Sequence, residues 1–500
     1  MQDEKFAHDY GNFIGGEETR PGGGSFLSYN PTTGKVWGRF VDSTPSEVGA
    51  AVESAHQAFR GPWGALSPTR RGRLLMAWGT RIAAEAERIA ALETGQNGKL
   101  LAEMRTQLRA AEDWLVYFGG AADKVEGSVI PLDRASVFNY TLREPLGVVA
   151  VIVPWNSPSF LAITGAAPAL AAGNTVVIKP SEVTSASAIE LARLAMEVGF
   201  PPGAINVVTG LRETGEALVA HPKIRKVNFT GGDAGGRAIA EAAGRRLISC
   251  VLELGGKSPN IVFADAELDR AEAGVLAGIF AAAGQTCIAG SRTYIQRPVY
   301  DEMLERLNKR AAGIRVGDPM LAETQMGPIA TAAQLAKDED MVRKALAEGA
   351  ELIHGGARLA LPAFPGGYFF APTILHRLAP NNSLLREEVF GPVLAVIPFD
   401  DEEEVIEAAN ATDFGLAAGV WTRDFRRAHV MARRLEAGTV WINTYRAMAF
   451  NSPFGGYRNS GIGRQNGQEA ILQYTQTKSV WCDLSHEVQD PFVIQTGGSR

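Results

Sequence analysis

Between about residues 46 and 120, apolar side chains recur every three or four positions. SEVGAAVESAHQAF and RRGRLLMAWGTRIAAEAERIAALE both keep that rhythm, which predicts amphipathic helices with one buried face. Ser46, directly after Pro45, is the expected cap of the first. At 146 the rhythm changes. LGVVAVIVPW is a continuous β-branched run ending at a proline and a tryptophan, as expected of a strand covered on both faces. FLAITGAAPALAAG then reads as helix and NTVVIKP as a second buried strand. ASAIELARLAMEVG, INVVTG, ETGEALVAH, KVNFTGG and GGRAIAEAAG continue the alternation. Such alternation predicts parallel βαβ units in a doubly wound sheet. A second alternating region opens near 256 with NIVFA, a long Ala/Gly-rich helix, TYIQ and the helix DEMLERLNKRAAG, and runs to about 460. Residues 1–45, with PGGGS at 21–25, read as loops and short edge strands, and Asp400–Glu404 as the opening of a helix. Alternating stretches at 135–145 and 473–484 predict strands whose edge a partner chain covers. The tail after Asp490 is expected to be loose. No internal repeat or low-complexity tract interrupts the pattern.

Composition narrows the class. A chain of 500 residues, 46% hydrophobic, is long enough for two or three domains. Its formal net charge of −6 gives no support to nucleic-acid binding. Cys250, Cys287 and Cys482 are an odd, sparse set, which argues against a disulfide framework and for a reducing compartment. The absence of CxxC argues against zinc, so no metal is expected. The polar start MQDEKFAHDYGNF and the shortness of every apolar run predict no secretory signal, no membrane span and a cytoplasmic protein.

Candidate chemistry sits where strands end, since open α/β sheets bind ligands beyond the carboxyl ends of their strands. Pro154-Trp155-Asn156 follows one strand and Lys179-Pro180-Ser181-Glu182 the next. FTGGDAGG follows a third, so Gly231, Gly232, Gly235 and Gly236 would let backbone N–H groups approach an anion, or simply make a turn. No GxGxxG is present. Cys287, in FAAAGQTC, is either a small buried hydrophobe or a nucleophile on a tight turn. Glu253, between Leu252 and Leu254, is no solvated-face glutamate. It is either half of a structural salt bridge or a base whose pKa desolvation raises. By residue type alone, Asn156 reads as a turn residue and Lys179 with Glu182 as an exposed charged pair.

VPWNSP (153–158), KPSE (179–182), FTGG (229–232), LELGGKSP (252–259), GQTC (284–287), EEVFGPV (387–393) and SPFGGYRNSGIGR (452–464) occur together. In order and spacing, over essentially the whole chain, the set resembles the aldehyde dehydrogenase superfamily. The resemblance implies an α/β fold with three parts: a variant Rossmann cofactor domain (1–126 and 146–255), an α/β catalytic domain (256–460) and oligomerisation strands (127–145 and 473–489) that join a homodimer or homotetramer. It implies Cys287 as nucleophile, Glu253 as the base that activates water on the thioester, and Asn156 as oxyanion donor. Cys250 and Cys482 are left structural.

The cofactor implied is NAD rather than NADP, because Glu182 would accept from the adenosine ribose hydroxyls and repel a 2′-phosphate. Val153, Pro154, Trp155, Lys179, Ser181, Gly210, Phe229, Gly231, Gly232 and Leu254 would complete the cleft, with Glu388 and Phe390 holding the nicotinamide ribose. Two departures stand out: Gly232 and Gln465 occupy positions where many members carry serine and a second glutamate. The substrate positions Ser157, Leu161, Arg446, Met448 and Phe454 describe a pocket less aromatic than usual at Ser157, Thr164 and Met448. Arg446 is either a solvent-facing loop residue or the anchor of a polar or carboxylate-bearing aldehyde. A CoA-acylating enzyme and a non-catalytic protein on the same fold are the other classes. Glu253 speaks against the first, and Cys287 with Glu253 against the second.

Overall fold

The computed structural model describes residues 8–19, 24–486 and Phe492. The expected loose tail apart from Phe492, most of PGGGS and the last residues of 473–489 fall outside the described residues.

Two sheets carry the molecule. In the eight-stranded one, the order is Gly461–Ile462, Ser249–Glu253, Ile224–Thr230, Val148–Ile152, Thr175–Lys179, Ile205–Val207, Asn12–Ile14, Glu17–Thr19. The five central strands are parallel, and every residue of Val148–Ile152 and Thr175–Lys179 is buried. Their unbroken β-branched runs are what a doubly covered strand requires. The outer pairings are antiparallel. The chain builds outward from Val148–Ile152 on one side through Thr175–Lys179 and Ile205–Val207. It then returns to build Ile224–Thr230 and Ser249–Glu253 on the other. Strand order therefore reverses between Val148–Ile152 and Ile224–Thr230, and a crevice opens beyond their carboxyl ends.

The second sheet has seven strands in the order Glu351–His354, Thr373–His376, Val393–Phe399, Arg292–Gln296, Pro259–Val262, Ala417–Trp421, Thr439–Ile442. All its pairings are parallel except that of the Glu351–His354 edge. A third, small sheet pairs Thr475–Asp483 with Val137–Pro145 along nine residues, with Val129–Ile130 outside. It leaves Phe138, Leu142, Trp481 and Leu484 exposed.

Two expectations change. The helix Pro45–Arg60 is capped by Thr44, not Ser46. Pro45 occupies the first helical position, where its missing N–H is no loss. The capping oxygen therefore comes from the residue before it: Thr44 Oγ1 accepts from Glu47 N at 3.4 Å, while Glu47 Oε2 accepts from Thr44 N at 2.6 Å. The Ala/Gly-rich helix runs only over Leu268–Ile279. Ala282, Ala283 and Gly284 then take φ of 55°, 51° and 71°. Left-handed backbone costs an alanine roughly 1–2 kcal/mol, so this turn persists only because its surroundings hold it.

Candidate active site

That turn delivers Cys287. Glu103, on the helix Leu101–Ala121, accepts from Ala282 N at 3.1 Å. Gln285 is fully buried. Its Oε1 accepts from Ala330 N at 2.8 Å, and its Nε2 donates to Ala282 O and Pro328 O at 3.4 Å each. The thiol loop is thus fastened from both sides. Burial pushes the Cys287 thiol up to about 12; the negative charges of Glu253 and Glu388 add to the rise, and the backbone N–H groups of Cys287 and Ile288 oppose it.

Asn156 lies buried just past Val148–Ile152, and its Nδ2 donates to Gln285 O at 2.9 Å. The amide is therefore clamped to the residue two before the sulfur, with its second proton free of that bond. Glu253 ends its strand at 4% exposure, and neither carboxylate oxygen has a hydrogen-bond partner. Burial drives its pKa well above the usual carboxylate range, and the charge of Arg464 only moderates this. No ion pair holds Glu253 among the described residues, so the salt-bridge alternative finds no support.

These three side chains share a cavity of about 210 Å³ at the switch point. Its wall also includes Pro154, Trp155, Leu161, Gly231, Gly232, Leu254, Glu388 and Phe390. Glu388 Oε1 accepts from Gly256 N at 2.9 Å, and burial raises its pKa. The Trp155 and Phe390 rings meet edge to face at 5.4 Å. Gly232 caps the helix Asp233–Arg245, and a Cβ there would meet nothing within 4 Å. At Gly231 a Cβ would strike the Phe229 ring at 2.4 Å.

Other expected residues stand off this wall. Val153 is buried, its N–H donating to Lys179 O at 3.1 Å. Lys179 is buried, with Nζ on Pro180 O at 3.1 Å and its pKa lowered by burial, so the exposed-pair alternative fails for the lysine. Glu182 is exposed, 3.3 Å from Ser181 Oγ. Gly210 has φ +151° and no room for a Cβ beside Thr214. Ser157 Oγ accepts from Lys99 Nζ at 3.1 Å. Met448 and Phe454 line a separate cavity of about 340 Å³ with Trp441, Ser452 and Asn466. Arg446 is half-buried, its Nη1 donating to Ala277 O at 3.1 Å, so it is neither fully solvent-facing nor on the first cavity's wall. Gln465 is buried, with no partner for Nε2.

The cavity adds Thr230, Gly255, Gln334 and Lys337. The first two adjoin motif residues and could have been included. Gln334 and Lys337 lie on Ala332–Ala347, an ordinary amphipathic helix whose docking the sequence does not show. Among the described residues, no cluster of His, Cys, Asp or Glu could hold a metal ion, and no helix is long and apolar enough to cross a membrane.

A model of the aldehyde dehydrogenase family matches residues 19–480. The chain belongs to the aldehyde dehydrogenase family. It is 43% identical to the (Z)-2-((N-methylformamido)methylene)-5-hydroxybutyrolactone dehydrogenase of Acinetobacter baylyi, over 95% of this chain and 97% of that one. It is 44% identical to a betaine aldehyde dehydrogenase of Cereibacter sphaeroides, over 91% and 93%. The NAD+ complex of an aldehyde dehydrogenase from Bacillus cereus superposes with a TM-score of 0.93 at 38% identity, covering 96% of this chain and 97% of that one.

Proposed function

We propose that this aldehyde dehydrogenase oxidises an aldehyde to its carboxylic acid with NAD, through a covalent acyl group on Cys287. The observation that carries this is the single cavity shared by Cys287, Asn156 and Glu253 at the switch point. Its other half suits a dinucleotide. The bare Gly232 and the N-terminus of Asp233–Arg245 offer N–H groups to a pyrophosphate, while the Gly231 N–H is held by Glu253 O at 3.0 Å. Glu388, Phe390 and Trp155 border the nicotinamide end, and Lys179 with Glu182 the adenosine ribose. NAD is favoured over NADP because the exposed Glu182 carboxylate would repel a 2′-phosphate.

Cys287 adds to the aldehyde carbon as thiolate. The carbonyl oxygen takes the developing charge and is met by the free amide proton of Asn156 and the backbone N–H of Cys287; one such donor contributes roughly 3 kcal/mol. When bound, NAD supplies the hydride acceptor that turns the thiohemiacetal into a thioester. Glu253 then takes a proton from water, which attacks the thioester carbon and releases the acid and the thiol. A carboxylate kept dry and without partners is a stronger base than a solvated one, which suits this step.

The Arg446 guanidinium stands half-exposed with donors to spare. The aldehyde proposed here is accordingly polar or carboxylate-bearing, with Arg446 at its far end. The small sheet, with its exposed Phe138, Leu142 and Trp481, is proposed to join copies of the chain into a dimer or tetramer. Three free cysteines fit a cytoplasmic setting.

NADH absorbance with aliphatic, aromatic and carboxylate-bearing aldehydes, with and without CoA, tests the reading. NADH formation without CoA is expected. A strict CoA requirement would replace water by a thiol as acyl acceptor. Arg446→Ala should raise KM for acidic and polar aldehydes about tenfold, the loss of one charge-assisted hydrogen bond, and spare short aliphatic ones. Equal effects on both classes would remove Arg446 from the substrate site.

A further inference from the structure

The helix Ala86–Asn97 ends against the loop that carries Asn156, and three contacts join them. Glu93 Oε1 accepts from Ser159 N at 2.9 Å, Asn97 Nδ2 donates to Trp155 O at 3.1 Å, and Lys99 Nζ donates to Ser157 Oγ at 3.1 Å. The circuit closes through the thiol loop. Asn156 bonds Gln285 O, Gln285 bonds Pro328 O, and Pro328 packs on Gly98 so closely that a Cβ there would lie 2.5 Å from its ring. Asn97 Oδ1 in turn accepts from Lys99 N at 3.0 Å.

Lys99 is the unusual member. Its side chain is buried, at 4% exposure, and among the described residues no carboxylate comes within ion-pairing distance. Burying an ammonium without a paired anion costs several kcal/mol, and a neutral donor would clasp Ser157 equally well. The charge therefore needs its own explanation. The groups that act on it electrostatically are Glu93 from its own side, Glu103 on the next helix, Arg446 on the loop after Thr439–Ile442, and Cys287 itself. Burial lowers its pKa to about 8, with Glu103 the largest opposing influence.

We propose that Lys99 is a positioning residue of the catalytic centre, holding the Asn156 loop through Ser157 and setting a buried positive charge within electrostatic reach of the Cys287 thiol. A positive charge so placed favours the thiolate and the oxyanion that follows. The inference rests on Cys287 acting as the nucleophile, yet the thiol can be titrated without turnover, so the two stand or fall separately.

The test is the rate at which iodoacetamide alkylates Cys287 in the full chain from pH 6 to 10, followed on the Cys287 peptide by mass spectrometry, since alkylation reports the thiolate. Lys99→Met should alkylate about tenfold more slowly below pH 8, one pKa unit expressed as a rate. It should converge on the wild type above pH 9, where Lys99 has lost its own proton. Lys99→Arg should keep the fast rate and, staying charged, show no convergence. Lys99→Met should also lower kcat/KM for the aldehyde with the same pH dependence. Equal alkylation in Lys99→Met and wild type at all pH values would overturn the proposal. So would a deficit independent of pH, or one as large in Lys99→Arg. If Lys99→Met does not fold, the arginine profile alone decides: an inflection near pH 8 that survives the replacement contradicts the assignment. Failure of the wild type to oxidise any aldehyde would defeat the proposed function and leave these alkylation results standing.

Discussion

Cys287, Glu253 and Asn156 are each legible for a different reason. Glu253 interrupts an apolar strand where a solvated carboxylate has no place, and the structure keeps both of its oxygens dry and unpartnered. Asn156 closes a buried strand at a proline-flanked turn. Cys287 alone reads first as a small buried hydrophobe, and only its motif, weighed with the others, reverses that. Gly232 shows what a missing side chain leaves. A Cβ there meets open space, so Gly232→Ser should fold unchanged and add one hydroxyl donor to the anion site. A net hydrogen bond to a charged group contributes about 1.5–3 kcal/mol, so KM for NAD should fall about tenfold or more with kcat nearly constant. A raised KM in the isothermal or steady-state measurement would mean that the glycine is needed for close backbone approach. Glu182 and Lys179, by contrast, are separated by exposure: the carboxylate reaches solvent and the ammonium is buried, which residue type alone does not foretell.

Helices and strands follow the apolar rhythm because burial enforces it, and the misreadings fall at their ends. Pro45 moves the cap from Ser46 to Thr44, and the alanine run at 280–283 reads as helix because nothing local forbids it. A tertiary bond from Glu103 and the buried Gln285 side chain help hold Ala282 and Ala283 in left-handed backbone. The helix Ala332–Ala347 is the clearest case of hidden function. Gln334 Nε2 bonds both Asp338 Oδ1, at 2.7 Å, and Val389 O, at 2.8 Å, between the cavity residues Glu388 and Phe390. Asp338 is fully buried, its Oδ2 has no partner, and burial raises its pKa to about 7. The folded chain therefore favours the protonated acid. Below about pH 4 both folded and unfolded states carry the proton and no penalty arises. As pH climbs toward 7 the unfolded state ionises first, and wild-type stability declines. Asp338→Asn preserves the Gln334 bond without a charge. It should melt with the wild type near pH 3 and above it at pH 8, by roughly 1–4 kcal/mol at 1.36 kcal/mol per pKa unit. A variant less stable than wild type at pH 8 would mean that the ionised carboxylate is itself stabilising.

At the scale of the molecule, the alternation of strands and helices announces a doubly wound sheet. Where strand order reverses is decided by pairings among segments up to about a hundred residues apart, and no local pattern encodes those. The reversal beside Val148–Ile152 is nevertheless what gathers residues 156, 253 and 287 around one cavity. The antiparallel edge Gly461–Ile462 is equally hidden, being too short to show a period, whereas the opposite edge falls within residues 1–45, where the sequence predicts short edge strands. The central claim is that an acyl group forms on Cys287 and leaves through water activated by Glu253. Its most direct test is Glu253→Gln mixed with aldehyde and excess NAD, read by stopped-flow absorbance and by intact mass after acid quench. The account requires a burst of one NADH per chain, steady turnover at least about 100-fold below wild type, and an acyl mass on the Cys287 peptide. Undiminished steady turnover without that adduct, or an acyl group on any other residue, would contradict it.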